Sequence, residues 1–159
     1  TLSAQLLENL KLLPRESAML AIHFPDPYPP PVTTHRAVVD LKSLPAVPCP
    51  CGIARRALAD RDEFPGTIHL THIDRDAKRH YHRNQTEVYV VLECSPGATI
   101  ELDDQSYSVE PMSTVLIPPG TRHCARGEMT VLIVCTPNFD PEDEILTSSI
   151  CLGPPAIRI

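Results

Sequence analysis

Proline sets the first limit on what this chain can fold into. Eighteen of its 159 residues are proline, spread from Pro14 to Pro155. Each one fixes φ and removes a backbone donor, so each interrupts a helix or a central strand. Such a chain builds short elements joined by turns. Five of the prolines fall in "FPDPYPPPV" (24–32), which reads as a stiff, extended, polyproline-like arm.

The segments around that arm differ in texture. Upstream, leucines at 2, 6, 7, 10 and 13 predict an amphipathic helix over 2–13. Pro14 ends it or opens a second short helix through Met19 and Ile22. An isolated helix of this length is marginal in water, so it must pack on its own domain or on a partner subunit. Downstream, β-type runs appear at 36–41, 66–73, 86–93, 98–104, 105–110, 113–119 and 129–137. The run 53–59 reads equally as strand or helix. Pro, Gly or Asp clusters separate most of them, which predicts an all-β sandwich or barrel. The expected organisation is a helical head and proline arm over 1–32, a β domain over 33–140 and an irregular tail over 141–159.

Charge and hydropathy narrow the class. A formal charge of −6 gives no basic footprint for nucleic acid and disfavours an anionic membrane surface. No apolar run reaches the roughly 18 residues of a spanning helix. The N-terminus lacks a basic region followed by an apolar core, so a cytoplasmic location is expected. Six cysteines are present, but a chain this long has core enough without a disulfide framework. Cys49 and Cys51 form a C-x-C pair, read either as free thiols in a Pro-punctuated loop or as half of a zinc site.

The chemistry concentrates in "RHYHRNQTEVYVVLE" (79–93). Residues two apart on a strand share a face, so His80 and His82 point the same way and Tyr81 points away. If the chain turns through "RNQ" and re-enters a strand at Thr86, Glu87 faces the same space. Neutral imidazoles and a carboxylate suit a divalent transition metal. A fourth ligand must come from another strand, and the candidate is His123. The "PPG" turn (118–120) reverses the chain just before it. His69 and His72 lie three apart, hence on opposite strand faces, and neither reads as a ligand. His23 and His35 flank the proline arm and read as solvated.

These residues resemble the two motifs of the cupin superfamily, small β-barrels of jelly-roll type. The first motif, G-x5-H-x-H-x3–4-E-x6-G, is carried by His80, His82 and Glu87. The second, G-x5-P-x-G-x2-H-x3-N, is carried by Pro118, Gly120 and His123. The resemblance spans roughly Val38 to Phe139. It departs at turn positions, where Asp74, Cys94 and Met112 replace glycines and Gly127 replaces the asparagine. It implies a jelly-roll barrel, one divalent transition metal (Fe, Zn, Mn or Ni) held by His80, His82, Glu87 and His123, and a homodimer.

Two further groups are candidates for the pocket. Tyr89 shares the face of Glu87 and reads either as a core tyrosine or as a group serving metal or substrate. Arg55 and Arg56 are adjacent. On a strand one of them points inward and would grip a carboxylate, whereas on a solvated edge neither would. The resulting expectation is a metal-dependent enzyme, of oxygenase or isomerase/lyase type, acting on a small polar or carboxylate substrate. Alternatives are a non-catalytic binding or sensory protein for a sugar-like ligand, and a purely structural protein whose head serves as a docking arm.

Overall fold

The computed structural model describes residues 38–74 and 77–147. The chain divides into two units, Thr1–His35 and Arg36–Ile159. The expected helix over 2–13, the proline arm, His23, His35 and the tail beyond Thr147 lie outside the described residues.

Eleven strands are described: β1 (Val47–Cys49), β2 (Gly52–Ala57), β3 (Thr67–Ile73), β4 (His80–His82), β5 (Thr86–Cys94), β6 (Thr99–Leu102), β7 (Gln105–Ser108), β8 (Thr114–Ile117), β9 (His123–Arg126), β10 (Met129–Thr136) and β11 (Glu144–Leu146). They form two antiparallel sheets. The six-stranded sheet has the order β1-β2-β3-β10-β5-β8, and the five-stranded sheet β11-β4-β9-β6-β7. The fold is all-β, as the punctuated sequence predicts, and a cupin-like barrel of jelly-roll type, as the resemblance implies.

Alternation decides which side chains fill the barrel. On β10, Met129, Val131, Ile133 and Cys135 are buried while the residues between them are partly exposed. On β5, Glu87, Tyr89 and Val91 face inward. Ile73, Ile100, Ile117 and Met129 are almost wholly enclosed, each worth about 1.5–3 kcal/mol relative to exposure. The apolar core occupies one part of the interior, and the inward polar residues of β3, β4, β5 and β9 gather in another.

Two local readings are corrected and one open alternative is resolved. No strand forms over 38–41. Instead the Asp40 side chain accepts from the Lys42 amide and caps a 3-10 turn at Leu41–Ser43. The ambiguous run at 53–59 is strand β2, which ends where Leu58 turns to φ 67°. The segment after Phe139 is not irregular as far as Thr147: a 3-10 turn at Pro141–Asp143 leads into β11, which pairs with β4. Three residues are too few to reveal a period, so the sequence hides this strand.

Cys49, Cys51, Cys94 and Cys135 are free, and Cys124 is disulfide-bonded. The departures from the motif glycines also have a visible consequence. Met112 replaces a glycine and adopts φ 75°, with its amide donating to the Val91 carbonyl at 2.7 Å. Left-handed backbone costs an L-residue roughly 1–2 kcal/mol, part of which the entropy of glycine gives back. Met112 is 74% exposed, so its side chain contributes little in return. Met112→Gly is therefore expected to raise stability by about 0.5–1 kcal/mol, read from denaturant midpoints at unchanged m.

Candidate metal centre

The site is assembled from both sheets. The five-stranded sheet supplies His80 and His82 from β4 and His123 from β9, with His80 directly opposite His123 in the ladder. The six-stranded sheet supplies Glu87 from β5. All four are buried, and one donor atom from each lies within 4.8 Å of the others.

Backbone contacts set the tautomers. His80 Nδ1 lies 3.0 Å from the Lys78 carbonyl, and His123 Nδ1 lies 3.0 Å from the Thr121 carbonyl. A carbonyl can only accept, so Nδ1 of each carries a proton and Nε2 is the ring atom turned inward. Nε2 of His82 lies 3.4 Å from Glu87 Oε2, and Nε2 of His123 lies 3.1 Å from it. These contacts are close but poorly aligned as hydrogen bonds, since both nitrogens are buried without a hydrogen-bond partner. Buried polar atoms left in this state call for a ligand, and their donor chemistry fits a divalent transition ion.

Electrostatics prepare the same donors. Burial, helped by neighbouring His123, holds the His80 pKa down at about 4, which keeps the ring neutral. Burial of Glu87 favours its neutral form, but contacts from His123 and His82 outweigh this and hold its carboxyl well below the usual range. Burial also opposes the charged form of His82, yet the Glu87 contact prevails and raises its pKa. Tyr89 is kept protonated by burial and donates to Glu87 Oε2 at 3.4 Å. Tyr89 thus belongs both to the core and to the site, as a group that positions Glu87.

Two loops fix the spacing of the motifs. Gly120, at φ 81°, donates its amide to the His82 carbonyl at 2.6 Å, joining the "PPG" turn to the paired histidines. The turn between His82 and Glu87 is clamped by Asp143. Its carboxylate accepts from the amides of Asn84 and Gln85 at 3.0 and 3.1 Å and from Asn84 Nδ2 at 2.9 Å.

A cupin domain family model matches residues 67–136, and the matched span contains all four donors. The chain belongs to the cupin superfamily. A protein of known structure from Planctomyces limnophilus is 40% identical, with 70% of this chain covering 96% of that one at a TM-score of 0.67. At lower identity the fold alone is shared. Pac13, a nucleoside dehydratase from Streptomyces, is 14% identical over 71% of this chain and 92% of its own, at a TM-score of 0.61. Ectoine synthase from P. lautus is 17% identical over 75% and 99%, at 0.59. No curated protein matches this cupin in sequence.

Three of the four converging residues, His80, His82 and Glu87, border a pocket whose walls include both expected and unforeseen residues. Of the arginine pair, Arg56 lines the pocket and Arg55 does not. Arg55 lies on the opposite strand face and donates to the Leu44 carbonyl at 3.2 Å, which removes it from the candidate site. Cys49 and Cys51 line the pocket as thiols kept protonated by burial. They lie outside the metal-donor group.

His69 is buried and lines the pocket, but its Nε2 is engaged by Thr67 Oγ1 at 2.9 Å; His72 is exposed on the other face. Glu144 on β11 is a further pocket carboxylate, with Oε1 3.6 Å from His80 Nε2. Asp143 and Glu144 fall in the segment where the sequence predicts an irregular tail. The only sequence signal for them is a run of acids just before "IL".

Proposed function

We propose that this cupin is a metal-dependent enzyme acting on a small polar molecule, neutral or carboxylate, bound beside an ion held by His80, His82, Glu87 and His123. The observation that carries this reading is the convergence of three buried imidazoles and a carboxylate, with one donor atom from each within 4.8 Å of the others. A divalent ion there supplies Lewis-acid polarisation of a substrate or water oxygen and, if it is iron, dioxygen chemistry. An ion held by these four residues would leave room for a small substrate beside it in the pocket.

The protein groups have separable tasks. Tyr89 donates to Glu87 and steadies the carboxylate. Glu144 offers a second carboxylate at the edge of the pocket. The shared fold of Pac13 and ectoine synthase is compatible with turnover, since both are enzymes.

The test is elemental analysis of the purified protein, followed by turnover assays on small hydroxy and keto compounds with and without oxygen. About one transition ion per chain and a metal-dependent product are expected. Turnover that requires oxygen assigns an oxygenase; turnover without it assigns isomerase or lyase chemistry. Metal and ligand binding without any product would favour the non-catalytic binding protein instead.

A further inference from the structure

We propose that Arg56 and Thr71 form an anion subsite in this pocket, built for the carboxylate of the substrate, with Phe139 as the residue that positions the guanidinium. The proposal deepens the functional reading by choosing a carboxylate over a neutral or sugar-like ligand. It rests on that reading only for the identity of the pocket.

Unpartnered polar atoms motivate it. Arg56 Nε and Thr71 Oγ1 are both buried without a hydrogen-bond partner, and both residues line the pocket. Thr71 is only 2% exposed. A buried donor left unpaired is costly, and more so when it is charged. Adjacent strands carry the two residues on the inward face, where Ala54 pairs with Thr71 and Arg56 with His69. Among the described residues, Arg56 forms no ion pair with any carboxylate.

Support for the guanidinium is built in. Its Cζ lies 4.2 Å from the centroid of the Phe139 ring. That ring packs edge-on to His69, with centroids 5.2 Å apart. The Phe139 amide and His69 Nε2 both meet Thr67 Oγ1, at 3.3 and 2.9 Å. The Phe139 ring holds the cation without offering it a hydrogen-bond acceptor, which leaves guanidinium N–H groups available to donate. A planar carboxylate suits that fork and can take the Thr71 hydroxyl as a further donor. A phosphate dianion fits less well, because Glu87 and Glu144 line the same pocket.

The experiment is calorimetry on the metal-loaded protein with lactate, lactamide and inorganic phosphate, with metal content measured for every variant. Lactate should bind at least about tenfold tighter than lactamide, as expected for a charge-assisted pair. Arg56→Ala should bring the two within about twofold, and Arg56→Lys should leave an intermediate gap because it keeps charge but loses the fork. Thr71→Val and Phe139→Leu should each narrow the gap with metal content unchanged. Arg55→Ala, on the opposite strand face, should leave it intact.

No gap in the wild type, or a gap that survives Arg56→Ala, overturns the subsite. So does phosphate binding tighter than lactate through Arg56. Loss of metal along with the gap in Arg56→Ala would mean that Arg56 shapes the metal centre instead, and would also overturn it. A wild-type protein without transition metal sinks the metal reading, while the lactate gap still reports on Arg56.

Discussion

Replacing His82 or His123 with alanine is expected to abolish the metal binding proposed for this cupin. Each substitution deletes one of four converging donors and leaves the remaining three on a rigid frame that cannot close the gap. The two histidines also come from different strands, β4 and β9, so no single local disturbance explains both losses. Losing a group that merely orients a ligand costs about 10–100-fold in metal affinity, and losing a ligand itself should cost more. After dialysis against a weak chelator, both variants should therefore retain only a minor fraction of the wild-type metal. Tyr89→Phe should fall between, since it removes a donor to Glu87 but no ligand. The readout is elemental analysis, with circular dichroism to verify that the barrel is folded. Full occupancy in both alanine variants would sink the four-residue assignment.

How much of this was legible beforehand follows from the range of each signal. Strand alternation acts over two residues, so His80 and His82 announced a shared face, and Glu87, Tyr89 and the inward member of the arginine pair could be proposed from the same rule. His123 needed the reversal at Pro118–Gly120, which the sequence states outright. What remained hidden depends on contacts across long separations. Asp143 holds the turn at Asn84 and Gln85 from 59 and 58 residues away. Glu144 enters through a three-residue strand whose register against β4 is set by tertiary packing. His69 lies outside the group of converging donors, and its inward side cannot be told from the spacing, which says only that it opposes His72. The polar row Thr67, His69 and Thr71 looked like any alternating strand until the other sheet covered it.

Acid should destabilise this protein from about pH 6.5 downwards, and His69 offers the clean measure. Burial is the main cause that holds the His69 pKa at about 4, and the nearby charge of Arg56 adds to it. In the unfolded chain an ordinary value near 6.5 applies. Between these two values the unfolded state binds the proton and the folded state does not, so stability rises with pH across that window and is lost as pH falls from about 6.5 towards 4. At full extent the loss is about 3 kcal/mol per such histidine.

In metal-free protein His80 has the same sign, because its pKa is also held at about 4. His82 has the opposite sign: its raised pKa means that its contribution is present at low pH and fades as pH rises through the folded value. Glu87, held below its usual range, adds its own loss only at lower pH, below about 4.5.

A substitution at His69 separates these contributions, because its ring bonds Thr67 and lies outside the metal-donor group. His69→Gln keeps a polar side chain near Thr67 and cannot titrate. Urea denaturation of metal-stripped wild type and variant at pH 7.5, 6.5, 5.5 and 4.5 then gives the result directly. The variant should start less stable at pH 7.5 because the packing against Phe139 is altered. It should lose roughly 2–3 kcal/mol less than wild type on descending to pH 4.5. Parallel curves for the two proteins would show that His69 carries no depressed pKa, and that its burial in the barrel is less complete than its 3% exposure indicates.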